Sequence, residues 1–292
     1  MSVRHLMERV EERVRDWNVD VQDTLETQSS FVAFGTRGEL PVVLKVLRQP
    51  GDEWRCGAVL EAFDGIGVVR VYHHIEGAVL LERLSPAISL ASLALDGRDD
   101  EATEILAEVI HRMSCPNEPL GETLGDASKQ FCAVEEWGRA FQSYLESGDK
   151  QIQASLVERG QGLYFELCAS QRDIRLLHGD LHHYNVLLDY DRGWVAIDPK
   201  GVVGEIEYEI GASLRNPYES PELFASPETV ERRLKLYGAK LKLDSDRALA
   251  WGFAQAVLSA IWSVEDGFAV DSSNPAVRLA NAMLPLLSSG SV

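Results

Sequence analysis

The sequence predicts an α+β fold in two lobes, a small β-rich N-terminal lobe and a larger helical C-terminal lobe. Three observations carry this. Residues 30–84 hold short apolar runs separated by turn residues, as strands do. From Ser85 onward, long segments carry apolar residues at helical spacing. A strand pair at 185–198 interrupts those helices. A seam near Leu84–Ala87 divides the chain into residues 1–84 and 85–292.

The elements follow in order. Val3, Leu6, Met7, Val10, Val14 and Trp17 recur at helical spacing, so residues 3–17 read as an amphipathic helix. Ser30–Phe34 and Val42–Leu47 flank a turn-rich stretch and read as a hairpin. Residues 52–63 read as a helix ending at Asp64-Gly65. Gly67–Tyr72 and Ala78–Leu84 read as two further strands, the second apolar enough to be interior. Helices are expected at 99–113, 128–147, 151–170, 227–242, 244–265 and 274–288.

Composition narrows the function classes. The chain has 292 residues and the hydrophobic content of a folded protein. Its four cysteines, Cys56, Cys115, Cys132 and Cys168, show no close pairing, which argues against a zinc ribbon or a disulfide framework. The charged N-terminus does not read as a signal peptide, and no apolar run has transmembrane length. A cytoplasmic protein is expected. The net charge of −18 repels phosphate backbones and anionic membranes, so neither nucleic acid nor membrane is an expected partner. It would attract a cationic small substrate, and it also serves solubility.

The chemistry concentrates between His178 and Asp198. An aspartate, Asp180, precedes an asparagine, Asn185, by five positions, and a predicted hairpin returns the chain to Asp198. Magnesium takes oxygen ligands, which Asn185 and Asp198 supply. Asp180 is then placed to orient a hydroxyl and take its proton. Asp-x-x-x-x-Asn is the spacing that phosphoryl transfer uses in protein kinases. Upstream, Lys45 is a lone cation in the apolar run Val42–Val46, where an unpaired lysine is costly. Contact with ATP phosphates and a helix glutamate would account for it. Glu53 and Glu61 are the possible partners, with Glu53 preferred for its place near the helix start.

These stretches, HGDLHHYNVLL, WVAIDPKG, VVLKV and LLERL, together resemble the aminoglycoside phosphotransferase family. The chain is most similar to its streptomycin 6-kinase and hydroxyurea phosphotransferase branch, which shares the IDPKG block and the RNP at Arg215–Pro217. The resemblance spans residues 25–285 and implies a protein-kinase-like fold with a five-stranded N-lobe. It implies that Asp180 is catalytic, Asn185 and Asp198 bind Mg2+, and Lys45 holds the phosphates of ATP. It implies further that Leu81-Glu82-Arg83-Leu84 is a hinge whose backbone, at Glu82 and Leu84, meets adenine. Ser29 and Ser30 would lie over the phosphates, and His178 would brace the catalytic loop. The implied acceptor is streptomycin or a similar cationic aminoglycoside, and the implied role is antibiotic resistance.

Two departures stand out. Gln28-Ser29-Ser30-Phe31 replaces a glycine-rich loop, and Glu209 replaces a bracing aspartate. Other readings of the residues are a kinase of a housekeeping metabolite, a nucleotide-binding module without turnover, and a metal hydrolase built on His178, Asp180, His182 and His183. Glu205, Glu207, Glu219, Glu222, Glu265 and Asp266 are either a cation-binding set or a solvated acidic face. Trp251 and Trp262 either stack on a substrate or pack helices. Residues 244–268 are the region expected to set acceptor specificity.

Overall fold

A computed structural model describes residues 3–114 and 131–287. The expected start of one helix at 128–130, the end of another at Ser288, and Cys115 lie outside the described residues. The chain divides into two compact units, Met1–Ile88 with Leu187–Gly201, and Ser89–Val186 with Val202–Val292. This corrects the single cut at 84/85, because the hairpin after Val186 joins the first unit. Hydrogen bonds account for that. Asp189 accepts from the Ser85 amide at 2.9 Å, and Ala196 O accepts from the Val69 amide at 2.9 Å. Arg192 reaches the Glu82 carboxylate and, at 3.1 Å, the Val68 carbonyl.

In the first unit, five strands form an antiparallel sheet in the order β1-β2-β3-β5-β4. They are β1 (Asp20–Glu26), β2 (Ser30–Arg37), β3 (Leu40–Leu47), β4 (Val71–Ile75) and β5 (Ala78–Glu82). Strand alternation gives the sheet two roles. Phe31, Ala33, Val42, Leu44, Val46 and Leu80 pack with Leu6 and Val10 of the helix Val3–Asp16 in one buried cluster. Val32, Phe34, Val43 and Lys45, at the intervening positions, line a cavity. The periodicity that buries Leu44 and Val46 thus turns Lys45 to the opposite face.

Two strands of this sheet differ from expectation. β1 was not foreseen, because all seven of its residues are exposed and no alternating pattern marks it. β4 begins at Val71 rather than Gly67, because Val68 and Val69 pair with Ala196 of the hairpin instead. Glu53 lies on a short 3-10 turn, Asp52–Arg55, that leads into the helix Cys56–Ala62.

The second unit is helical around the 21-residue helix Ser245–Glu265, thirteen of whose residues are buried. The helices Ala154–Ala169, Arg139–Ser147 and Pro275–Leu287 pack against it. A small sheet joins Cys132–Ala133, Val202–Gly204 and Arg175–Leu177, whose last strand leads directly into the His178 loop. The expected helix 128–147 is divided at Gly138, where an added Cβ would meet the Tyr164 ring at 2.6 Å. Among the described residues, no helix is long and apolar enough to cross a membrane.

Candidate active site

The cavity of the first unit has a volume of about 740 Å³. Leu25, Val32, Val43, Val69, Leu84, Leu187 and Ile197 give it apolar walls, and Lys45, Glu53, Ser29, Ser30 and Asp198 give it a polar set. Apolar walls with a few placed polar groups are the usual make-up of a small-molecule site. Leu25, 52% exposed, is an apolar side chain that a ligand there would cover.

Lys45 is the central charge. Its Nζ lies 2.7 Å from Glu53 Oε2 and 2.9 Å from Asp198 Oδ1. Burial pulls the ammonium toward neutrality, but Asp198 and Glu53 outweigh it and hold its pKa above the ordinary lysine value. Glu61, the other possible partner, instead lies 3.2 Å from His74 Nε2. The Asp198 side chain stays one-third exposed at 33%, so its carboxylate reaches the cavity. A partly exposed carboxylate beside a ligand cavity is a donor that magnesium accepts.

The loop over this cavity is built from hydroxyls rather than glycines. Thr27 and Ser30 share a hydrogen bond between hydroxyls at 2.9 Å, and the Ser30 amide donates to Thr27 Oγ1 at 2.9 Å. Ser30 is therefore a buried brace of the turn, 1% exposed. Ser29 is exposed at the turn, with its carbonyl taken by the Arg48 amide at 2.8 Å. Thr27 was not foreseen in this role, although Thr-x-x-Ser is a side-chain turn pattern.

The hinge segment needs one correction. The Glu82 carboxylate is committed to Arg192 and to the Arg70 amide, and the Glu82 amide donates to the Arg70 carbonyl at 3.0 Å. Glu82 thus anchors the 187–201 hairpin, and its N–H is not left for a ligand. Leu84 lines the cavity, and among the described residues its backbone has no hydrogen-bond partner.

Asp180 and Asn185 belong to the second unit. Strand Arg175–Leu177 delivers the loop, and Glu209 holds it by accepting from the amides of His178 at 2.6 Å and Gly179 at 3.1 Å. Glu209 is 3% exposed. Burial is the main cause that pushes its carboxyl up to about 7, against the pull of the two amides. His178 is fully buried, and its Nδ1 accepts from the Asp180 amide at 3.3 Å. Asn185 donates Nδ2 to the Asp180 carbonyl at 3.0 Å, and its amide oxygen is an acceptor group. Arg215 Nη2 lies 3.6 Å from Asp180 Oδ1, and His182 Nε2 lies 4.0 Å from Asp180 Oδ2. The RNP motif contains Arg215 but does not reveal this contact with Asp180.

The histidines do not make a metal centre. Among the described residues, no group of three or more His, Cys, Asp or Glu could hold an ion. His183 is fully buried, and burial drives its pKa well below the ordinary histidine value. Several acceptor candidates also prove structural. Glu205 is fully buried and bonded to Arg247, to Trp251 Nε1 and to the Arg172 amide. Trp251 is itself fully buried, and Trp262 meets Trp137 edge-on at 5.7 Å. Glu219, Glu222, Glu265 and Asp266 remain exposed.

Residues 16–267 match the model of the family described as aminoglycoside/hydroxyurea antibiotic resistance kinase. The chain belongs to that family. It is therefore a phosphotransferase. The kinase is 35% identical over 248 residues to a streptomycin 3''-kinase of Klebsiella pneumoniae, covering 84% of this chain and 88% of that one. It is 34% identical to a streptomycin 6-kinase of Streptomyces griseus, covering 86% and 78%. It is 32% identical to a hydroxyurea phosphotransferase of Kitasatospora aureofaciens, covering 79% and 68%. Two solved structures share the fold of the kinase. Choline kinase LicA from Streptococcus pneumoniae aligns with a TM-score of 0.62 at 16% identity, over 98% of this chain and all of that one. Aminoglycoside phosphotransferase APH(4)-Ia, in a complex with ADP and hygromycin B, aligns at 0.65 and 14% identity, over 97% and 98%.

Proposed function

We propose that this kinase transfers the terminal phosphoryl group of ATP to a hydroxyl of a small cationic molecule, streptomycin or a related aminoglycoside. The observation that carries the reading is the Lys45 ammonium, held between Glu53 and Asp198 beside a largely apolar cavity. The apolar walls suit a purine, Leu84 offers the purine edge its free backbone groups, and Lys45 with Ser29 suits the phosphates. The membership in a family of resistance kinases supports the same assignment.

The roles divide between the two units. Lys45 offsets the charge that develops on the phosphates, and Glu53 fixes its rotamer. Magnesium bound with the nucleotide would supply further neutralisation, and Asp198 and Asn185 provide the oxygens assigned to it. Asp180 accepts a hydrogen bond from the acceptor hydroxyl and takes its proton as the new ester bond forms. Glu209 and His178 hold the Asp180 backbone. The cationic acceptor is assigned from the net charge of −18 and the exposed Glu219, Glu222, Glu265 and Asp266.

An ADP-release screen tests this across streptomycin, other aminoglycosides, hydroxyurea and simple amino alcohols. Streptomycin or a near relative is expected to stimulate release at least tenfold over water. Stimulation by an uncharged acceptor alone would sink the cationic-substrate assignment.

A further inference from the structure

Arg215 has no part in the roles above, yet its placement is costly. It is 8% exposed, and its Nη2 lies 3.6 Å from Asp180 Oδ1. Its Nη1 is buried with no hydrogen-bond partner among the described residues. A buried donor left unsatisfied destabilises the fold, so packing alone does not account for an arginine there. An apolar side chain of that length would serve a purely structural purpose better.

The turn that carries Arg215 is rigidly held. Arg233, 1% exposed, donates from Nη1 to Ser213 O at 3.0 Å and to Asn216 O at 2.9 Å. Its other nitrogens grip the Asp99 carboxylate, with Nε at 3.1 Å from Oδ2. Asn216 Nδ2 donates to Ala212 O at 2.8 Å, and Tyr237 Oη donates to Ser213 Oγ at 2.7 Å. Further along, Glu219 accepts from the Tyr184 hydroxyl at 2.7 Å. The segment 213–219 therefore meets the catalytic loop twice, at Asp180 and beside Asn185.

We propose that Arg215 is a positioning residue for Asp180, an inference that rests on the phosphotransferase reading. The last torsion of an aspartate is broad, so the orientation of its carboxylate is set by the groups around it. Asn185 fixes the Asp180 backbone through its carbonyl. It does not fix the carboxylate plane. The Arg215 guanidinium, held by the Arg233-anchored turn, restricts Oδ1 and so sets how the carboxylate meets the acceptor hydroxyl. A planar guanidinium can impose that orientation, whereas an ammonium supplies charge without it.

The test compares Arg215→Leu, Arg215→Lys and Asp180→Ala in the full chain. ADP release is read with ATP and the best acceptor of the screen, or with water where none responds. Arg215→Leu is expected to lower kcat about 100-fold, the cost of a misplaced catalytic group. The KM for ATP should stay within about twofold, because no ground-state nucleotide contact is lost. Thermal melting should be unchanged or higher, and millimolar guanidinium should restore part of the rate. Arg215→Lys should fall about tenfold and serves as the readout if the leucine variant does not fold. A kcat equal to wild type in either folded variant, with Asp180→Ala inactive, overturns the positioning role and leaves the phosphotransferase reading standing. A loss that follows melting alone, without guanidinium rescue, also overturns it. Turnover retained in Asp180→Ala overturns the underlying reading itself.

Discussion

Both units bury a charged group at a functional position, and they hold it by opposite means. In the first, Lys45 lies between two carboxylates, and its charge is secured well beyond physiological pH. In the second, Glu209 has two backbone amides and, among the described residues, no cationic side chain in an ion pair. Burial pushes its carboxyl up to about 7. A charge paired with another charge resists titration. A charge held by amides in an apolar setting stays close to losing it. The nucleotide-side cluster should therefore be indifferent to pH near neutrality, and the brace of the catalytic loop should not.

The largest expected effect comes from breaking the first arrangement. Lys45→Met should lower the transfer rate about 1000-fold, as loss of a preorganised charge stabiliser does, measured as ADP release. It should leave Glu53 and Asp198 facing each other without a cation. Next comes a contrast within the second unit. Glu205, four residues before Glu209, is equally buried but is paired with Arg247. Arg247→Met leaves that carboxylate unpaired, so it should cost ~3–5 kcal/mol in denaturant unfolding. The comparison breaks if the loss is negligible.

Glu209 itself gives a pH signature. Its folded-state pKa, about 7, lies above its ordinary value of 4.5. The folded protein therefore binds this proton more tightly than the unfolded chain. The associated stability is fully present below about 4.5 and is lost as pH rises toward 7. Relative to Glu209→Gln, the wild type should lose on the order of 3 kcal/mol across that window. A difference between the two proteins that does not change with pH would show that Glu209 is charged throughout. Smallest of all, Trp251→Phe removes one donor to Glu205 and should cost ~1 kcal/mol. It should leave the KM of the acceptor unchanged, because Trp251 is fully buried and lines no substrate site.

The same contrast explains what could be read from the sequence. Lys45 was legible because a lysine in an apolar strand breaks a pattern, and the alternation of that strand says which face it takes. The long helices were legible through their periodicity. Strand β1 was not, since an exposed edge strand carries no apolar signature. The bracing groups of the second unit were hard to find for another reason. Arg233 acts on the carbonyls of Ser213 and Asn216, and a backbone partner leaves no trace in residue identity; Glu209, which also acts on backbone amides, was legible only through the family resemblance. Glu205 and Trp251 show what residue identity leaves open. An acidic residue and a tryptophan near the expected acceptor region allowed either a substrate contact or a structural role, and burial makes both structural.

The most direct test of the account separates nucleotide binding from transfer. ATP binding by calorimetry and ADP release are measured together on Asp180→Ala. Wild-type affinity for ATP is expected, because the cavity lies wholly within the first unit, with turnover about 1000-fold lower. Turnover within tenfold of wild type, or loss of ATP binding in that variant, would contradict it.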